Sequence, residues 1–200
     1  RAVSTDGHRM SITEAIIDSK VLDTTCQSII PKKAITELKK IVEKSDQNIK
    51  ICLGKNYLKA EFGSFVFISK LVDGRYPDYQ KVIPKNNTKL LAIDKQILKN
   101  ALLRTSILAN EKYKGVRLNI SAGQVLLSAN NPDNEKAEVK IEVQYNDDAM
   151  EICFNYKYLL DIISVLSEET ITIYLDNPNM SALIKDEKDN SLFIIMPMKI

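Results

Sequence analysis

An internal repeat constrains the fold of this 200-residue chain more than any other feature. A helix-like segment, KKAITELKKIV at 32–42, leads through three strand-like segments that end in FVFISKLV at 65–72. Another, YKYLLDIISVL at 156–166, leads in the same way to LFIIMPMK at 192–199. The unit recurs after about 125 residues, which predicts two related modules.

The hinge between the modules is predicted at GRYPDYQKVIPKNN, residues 74–87. Pro77 and Pro84 bracket it, and proline cannot donate a hydrogen bond to a sheet ladder. We therefore expect a partial first module over 1–79, which lacks its opening portion, and a complete second module over 80–200. Because the chain begins with arginine in a strand-like pattern, we expect a fragment of a longer protein.

Three amphipathic segments predict helices, and most of the remaining sequence alternates as strands do. The helices are predicted to start at Pro31, at Asp94 as an N-cap and at Asn155 as an N-cap. Short turns such as GK, AGQ and NPDN separate the strand-like segments and indicate antiparallel meanders. A few helices on antiparallel strands are typical of the α+β class.

The composition indicates a cytoplasmic protein with a packed core. It is 44% hydrophobic and 27% charged, and no stretch approaches the roughly 20 apolar residues of a membrane helix. The first residues lack the apolar core of a signal peptide. A net charge of +2 is too small to indicate nucleic-acid binding by itself.

The sequence offers no constellation for catalysis, and we expect no metal site, cofactor or enzyme activity. Cys26, Cys52 and Cys153 are odd in number, far apart and accompanied by a single histidine, so we expect buried or half-buried thiols. His8 follows the turn-forming pair Asp6-Gly7 and has no histidine partner. A hydrolase that uses His8 is the least favoured alternative.

Two further patterns each allow two interpretations. Four lysines at 32, 33, 39 and 40 form either a solvated helix face or a surface for phosphates. The apolar terminus SLFIIMPMKI, 191–200, is either the last core strand or the adaptable wall of a binding site, because Pro197 interrupts a ladder.

The motifs TDGHRM, SKLVDGRYPDY, ANEKYKGVRL, ANNPDNEKAE and IMPMKI, in this order, closely resemble the bacterial β sliding clamp family. Members of that family are processivity factors of the replicative DNA polymerase. The resemblance covers essentially the whole chain and implies the DNA clamp fold, with antiparallel sheets on the outer face and paired helices lining a central channel. About one and a half of the family's three domains are present, namely the latter part of the second and the whole third.

The resemblance implies a ring of two chains joined head to tail around duplex DNA, which is contacted without regard to sequence. Basic residues that would face the DNA are Lys32, Lys33, Lys39 and Lys40. The pair Ile107 and Leu108 would belong to the dimer interface. Because the family's first domain has no counterpart here, we expect no ring from this chain, although the full-length protein would be a homodimer.

A hydrophobic groove between the second and third domains is the other site that the resemblance implies. There the replicative polymerase, the clamp loader and repair polymerases would insert short linear motifs. The groove residues would be Thr5, Gly7, His8, Arg9, Met10, Pro77, Lys81, Val82, Asn155, Tyr158, Ser181, Ile194, Ile195, Met196, Pro197, Met198 and Ile200. Lys81 and Lys199 stand where the family often has arginine, and Met10 and Ile200 where leucine is usual.

One alternative of a different class stays open. The same groove would serve a free-standing peptide-binding adaptor that does not encircle DNA, since the first domain is missing. In either case the chain binds partners and catalyses nothing.

Overall fold

The computed structural model describes residues 1–16, 26–43 and 48–199. The chain divides into two compact units, one of Arg1–Ile16 with Gln80–Ile200 and the other of Ile17–Tyr79. In chain order the strands and helices are β1 (Ala2–Thr5), β2 (Arg9–Thr13), α1 (Lys32–Val42), β3 (Lys50–Leu53), β4 (Tyr57–Phe62), β5 (Phe65–Lys70), β6 (Lys89–Asp94), α2 (Lys95–Ser106), β7 (Gly115–Ser121), β8 (Gln124–Asn130), β9 (Lys136–Glu142), β10 (Met150–Asn155), α3 (Tyr156–Val165), β11 (Thr170–Leu175), β12 (Ala182–Asp186) and β13 (Ser191–Ile195). The α+β class expected from the sequence is confirmed.

The larger unit contains two antiparallel sheets. Six strands follow the order β1-β2-β13-β12-β11-β6, and four follow the order β10-β7-β8-β9. Apolar side chains from both sheets and from α2 and α3 form one core, in which Leu91, Leu102, Leu127 and Ile195 have no exposed surface. Alternation explains this, because every second residue of β7 and β8 points into the core.

The first hairpin, β1–β2, belongs to this larger unit, although the residues that follow it in sequence belong to the smaller unit. Strand β2 pairs antiparallel with β13, with Met10 opposite Ile194 and Ser11 opposite Phe193. Residues near the two ends of the chain therefore lie side by side in one sheet, and the end of β13 comes next to the β1–β2 turn.

The smaller unit combines α1 with a three-stranded antiparallel sheet, β3-β4-β5. Alternate residues of β4, Leu58, Ala60 and Phe62, are buried. All four residues of β3 are exposed.

Helix starts follow the capping signals of the sequence. Asp94 accepts a hydrogen bond from the amide of Ile97 at 2.8 Å, and Asn155 accepts one from the amide of Lys157 at 3.0 Å. Pro31 occupies the N-cap of α1 without a side-chain hydrogen bond. The three predicted helix starts are confirmed.

The cysteine prediction was correct for one residue and wrong for two. Cys153 is buried in β10, whereas Cys26 and Cys52 are exposed. Cys52 lies in β3, and all four residues of that strand are exposed. Among the described residues, no helix has the length and apolar character needed to cross a membrane.

Candidate functional site

The β1–β2 turn is held by its own side chains and backbone. Thr5 Oγ1 donates to the carbonyl of Arg9 at 2.7 Å, and Asp6 Oδ1 accepts from the amides of His8 and Arg9, both at 3.0 Å. Gly7 has φ +87°, a conformation that favours glycine. The predicted Asp-Gly turn is confirmed, and it presents His8 on the surface.

The C-terminal residues 196–199, which we call the tail, leave the sheet beside this turn. Strand β13 ends at Ile195, two residues before Pro197. The Met196 amide donates to the carbonyl of His8 at 2.9 Å, and the Met198 amide donates to the carbonyl of Cys153 at 2.8 Å. The tail is thus fixed to the hairpin turn at one point and to strand β10 at another.

Helix α3 is the third element that lies beside the hairpin turn and the tail. Arg9 joins this helix to the hairpin. The Arg9 guanidinium carbon lies 4.3 Å from the centre of the Tyr158 ring, within the range of a cation–π contact. Arg9 Nη1 donates to Asp161 at 2.6 Å and Nε donates to Asp6 at 3.0 Å. Tyr158 and Asp161 are three residues apart and share a face of α3, so one guanidinium contacts both.

Electrostatics favour the charged forms of these groups. Partial burial acts to raise the pKa of Asp6, but hydrogen bonds from the His8 and Arg9 amides and from the Arg9 side chain outweigh it and hold the pKa below 3.8. Burial likewise acts to lower the pKa of Arg9, and the bonds to Asp161 and Asp6 raise it instead. Arg9 therefore stays a cation held between two carboxylates.

Where the hairpin turn, the tail and α3 meet, which we call the junction, apolar side chains contribute part of the exposed surface. Met196 is 45% exposed, and Pro197, Met198 and Tyr158 are half-buried. Ile194 and Ile195, which the resemblance assigns to the groove, are 1% and 0% exposed, and Ile195 belongs to the core. Residues 191–195 are therefore the last core strand, as one interpretation expected, and the tail after it is partly exposed; that the tail forms the wall of a binding site stays a prediction.

The other predicted groove residues lie in several places. Met10 is buried in β2 opposite Ile194, and Ser181, just before β12, accepts a hydrogen bond from the Asn87 side chain at 2.9 Å. The remaining predicted residues are Pro77 in the smaller unit, Lys81 and Val82 in an exposed 3-10 turn, Tyr79–Val82, and Ile200, which lies outside the described residues. Of the predicted groove residues, those of the hairpin, the tail and the start of α3 lie close to one another.

A surface depression of about 570 Å³ lies elsewhere on the larger unit. It is lined by side chains from β7, β8, β9 and β10 and by Ala149, and none of the predicted groove residues contributes to it. Its lining is mixed in character, with Asn119, Lys140 and Glu151 beside Leu126. We assign it no function.

Helix α1 carries the predicted basic face. Lys32 and Lys39, like Lys33 and Lys40, are separated by seven residues, about two helical turns, so the four lie on one side of the helix. All four are exposed. Lys39 pairs with Glu43 at 3.4 Å and Lys40 with Glu37 at 2.9 Å, and within the described parts of the chain no ion pair involves Lys32 or Lys33.

The pair predicted for a dimer interface follows α2 directly. Ile107 caps the helix and is 78% exposed, and Leu108 is half-buried. An aliphatic side chain so exposed on a helix end is available to another protein surface.

Comparisons with known protein families give matches along nearly the whole chain. The family described as "DNA polymerase III beta subunit, C-terminal domain" matches residues 80–199, and "DNA polymerase III beta subunit, central domain" matches residues 1–78. The chain belongs to the DNA polymerase III β-subunit family. The resemblance noted in the sequence motifs is confirmed.

Relatives within the β-subunit family are similar over all of this chain. The beta sliding clamps of Pseudomonas putida and Escherichia coli K12 are 43% and 39% identical to it over 201 residues. In both cases the match covers 100% of this chain and 54% of the relative. The chain therefore spans about half the length of the curated relatives that it matches.

Solved structures of the β-subunit family share the fold. A Pseudomonas aeruginosa DNA polymerase sliding clamp crystallised with a ligand is 41% identical, with a TM-score of 0.91 over 99% of this chain and 54% of its own. A P. aeruginosa clamp bound to griselimycin is 42% identical, with a TM-score of 0.90 over 99% of this chain and 54% of its own. The expected clamp fold is confirmed.

Sequence reasoning overlooked two carboxylates of the site. Asp6 was interpreted only as a turn residue, although it also binds the Arg9 side chain. Asp161 lies 152 residues from Arg9 in sequence, and no local pattern indicates that the two meet.

Proposed function

We propose that this chain is part of a DNA sliding clamp, the processivity factor of a bacterial replicative polymerase, acting in the cytoplasm. The single observation that carries the proposal is the convergence of the hairpin turn, the tail and α3 in a member of the β-subunit family. The role is accessory and not catalytic. Nothing in the fold or the comparisons favours the alternative of a free-standing adaptor.

The junction of hairpin, tail and α3 is proposed as the docking site for short linear motifs of the replicative polymerase, the clamp loader and repair polymerases. Met196, Pro197, Met198 and Tyr158 offer partly exposed apolar surface. Burial of a leucine or phenylalanine anchor contributes about 1.5–3 kcal/mol. Two anchors, less the cost of ordering a flexible peptide, correspond to roughly micromolar and exchangeable binding. The griselimycin complex of the P. aeruginosa clamp supports a ligand site in the family.

Duplex DNA is the second proposed partner. The lysine face of α1 suits phosphate contacts, which carry no sequence information and so permit sliding. Retention on DNA would come from ring topology in the full-length homodimer, to which Ile107 and Leu108 would contribute. We expect no closed ring from copies of the 1–200 chain.

We also propose that residues 1–79 are part of the family's second domain and residues 80–200 its third. The ranges matched by the two families, 1–78 and 80–199, support this division. The β1–β2 hairpin is then a second-domain element that extends the sheet of the third through β13.

Peptide docking is tested by fluorescence anisotropy with a labelled peptide that carries leucine and phenylalanine anchors. We expect the 1–200 chain to bind it, deletion of residues 196–200 to abolish binding, and Met196→Ala to weaken it several-fold. Leu103→Ala is the matched control, because Leu103 on α2 is 46% exposed and Met196 is 45% exposed. Equal affinity with and without residues 196–200 would refute the assignment of the site.

A further inference from the structure

Asp161 contributes a side chain to the junction, although neither the motifs nor the proposed groove includes it. It lies on α3, its side chain is 63% exposed, and its carboxylate accepts from Arg9 Nη1 at 2.6 Å. Its backbone carbonyl accepts a separate hydrogen bond from Ser164 Oγ at 2.6 Å. The carboxylate is thus directed at Arg9.

Arg9 has a second carboxylate that it would keep without Asp161. Asp6 binds Arg9 Nε at 3.0 Å, and both belong to the hairpin. Asp161, by contrast, belongs to α3, and its bond pulls the guanidinium away from the hairpin and over the ring of Tyr158. A guanidinium held by Asp6 alone would be free to leave that ring.

Arginine has many rotamers, and ordering such a side chain on binding costs affinity. The bond from Asp161, together with the cation–π contact, orders Arg9 and Tyr158 before a peptide arrives. The Arg9 backbone is fixed as well, because it pairs with Ile195 in the sheet just before the tail. The Asp161 carboxylate therefore contributes to the shape of the wall formed by these two side chains.

We infer that Asp161 is a positioning residue of the peptide site, which fixes Arg9 over Tyr158 so that the wall is formed in the unbound protein. The inference rests on the proposed docking function. Its partner class is the same, a short peptide with aliphatic and aromatic anchors. Asp161 acts through Arg9 and needs no contact with the peptide.

The test measures anisotropy of the anchor peptide on the 1–200 chain and its variants. We expect Asp161→Asn to weaken binding about three- to tenfold, through the cost of ordering the released side chain. Asp161→Glu should restore part of the loss, because it keeps the charge. Asp133→Asn, in the turn between β8 and β9, removes an exposed carboxylate elsewhere and should change affinity less than twofold.

A double-mutant cycle separates positioning from a general structural effect. In an Arg9→Ala background, Asp161→Asn should have less than a twofold effect, because Asp161 acts only through Arg9. A second measurement needs no peptide. Ring-current shifts of the Arg9 side-chain protons, caused by the Tyr158 ring, should be present in the wild type and reduced in Asp161→Asn.

The outcomes distinguish this inference from the docking function itself. If the wild-type chain binds and Asp161→Asn binds equally well, or if the two substitutions are additive, the positioning role is overturned while docking stands. If the wild-type chain fails to bind the peptide, the docking function is overturned and this role with it. Unchanged Arg9 shifts in Asp161→Asn would also overturn the positioning role.

Discussion

The amide of Met196 donates to the carbonyl of His8 at 2.9 Å, which joins the last described residues of the chain to a turn near its start. This bond extends the antiparallel pairing of β2 with β13 beyond the last strand residue, Ile195. Because the tail and the turn share it, a change in either one is transmitted to the other. The geometry of the proposed docking site therefore depends on the stability of the β1–β2 turn.

Asp6 should make that turn sensitive to acid. The pKa of Asp6 is lowered from its ordinary value of 3.8. The charged form of Asp6 therefore stabilises the turn fully above that ordinary pKa, and the stabilisation is lost as the pH falls through the lowered pKa. Asp6→Asn lacks this charge. We expect the wild type to be more stable than Asp6→Asn at neutral pH, and the two to converge as the pH falls through the lowered pKa of Asp6, as measured by urea unfolding. A difference in the free energy of unfolding between the wild type and Asp6→Asn that stays constant with pH would contradict the role of the charge.

Thiol chemistry should distinguish the three cysteines. Cys26 and Cys52 are exposed, whereas Cys153 is 8% exposed and its pKa is raised, first by burial and then by Glu151, against the opposing effect of Arg117. Reactivity requires the thiolate, so burial and a raised pKa both slow it. With a chromogenic disulfide reagent we expect two thiols to react quickly in the native protein and the third only on unfolding.

A Cys153→Ser variant serves as the control for that experiment. It should show two reactive thiols both before and after denaturation. Three rapid thiols in the native wild type would contradict the burial of Cys153 in β10.

Adjacent leucines of α2 should differ sharply in their effect on stability. Leu102 has no exposed surface, and Leu103 is 46% exposed. Leu102→Ala should lower the free energy of unfolding by about 2–5 kcal/mol, because it removes buried contacts and leaves a cavity. Leu103→Ala should change it by no more than about 0.5 kcal/mol. Similar losses from both, measured by urea unfolding, would contradict the burial of α2 against the sheets.

The lysine face of α1 should contribute to non-specific DNA binding. For the 1–200 chain near physiological salt we expect weak duplex binding, with a Kd of about 10⁻⁴–10⁻⁶ M. Replacing both Lys32 and Lys33 with glutamate should weaken it for every DNA sequence and reduce the salt slope by roughly 2. Anisotropy of a labelled duplex across a salt series measures both quantities.

A charge-matched control isolates the position of those lysines. Lys136 and Lys188, which pair with Glu138 and Glu168, receive the same two glutamate substitutions elsewhere on the chain. We expect this variant to retain more binding than the α1 variant. Equal losses would show that net charge alone, and not the face of α1, governs the interaction.

Local signals in the sequence predicted most of the secondary structure. Asp94 and Asn155 were recognisable as N-caps because the capping residue and the apolar periodicity after it lie within one short window. Strand β6 was missed, since Leu90 and Leu91 break the alternation of polar and apolar residues.

The three-dimensional arrangement of the site was harder to foresee. No local pattern indicates that Met10 pairs with Ile194 or that Arg9 reaches Asp161, because these contacts are set by tertiary packing between distant segments. The groove residues came from the family resemblance, and their role in peptide binding stays a prediction. Because Ile194 and Ile195 are buried, the part of the predicted groove terminus that is described and exposed at least in part is the tail, residues 196–199.

The pairing of β2 with β13 also has a consequence for synthesis on the ribosome. Strand β2 is translated before its neighbour β13, since Thr13 and its partner Ser191 are 178 residues apart in sequence. Until β13 is translated, β2 is paired with β1 alone, and its other edge resembles an open sheet edge that other nascent chains can join. Translation of β13 is therefore the step at which this hairpin can acquire its permanent neighbour.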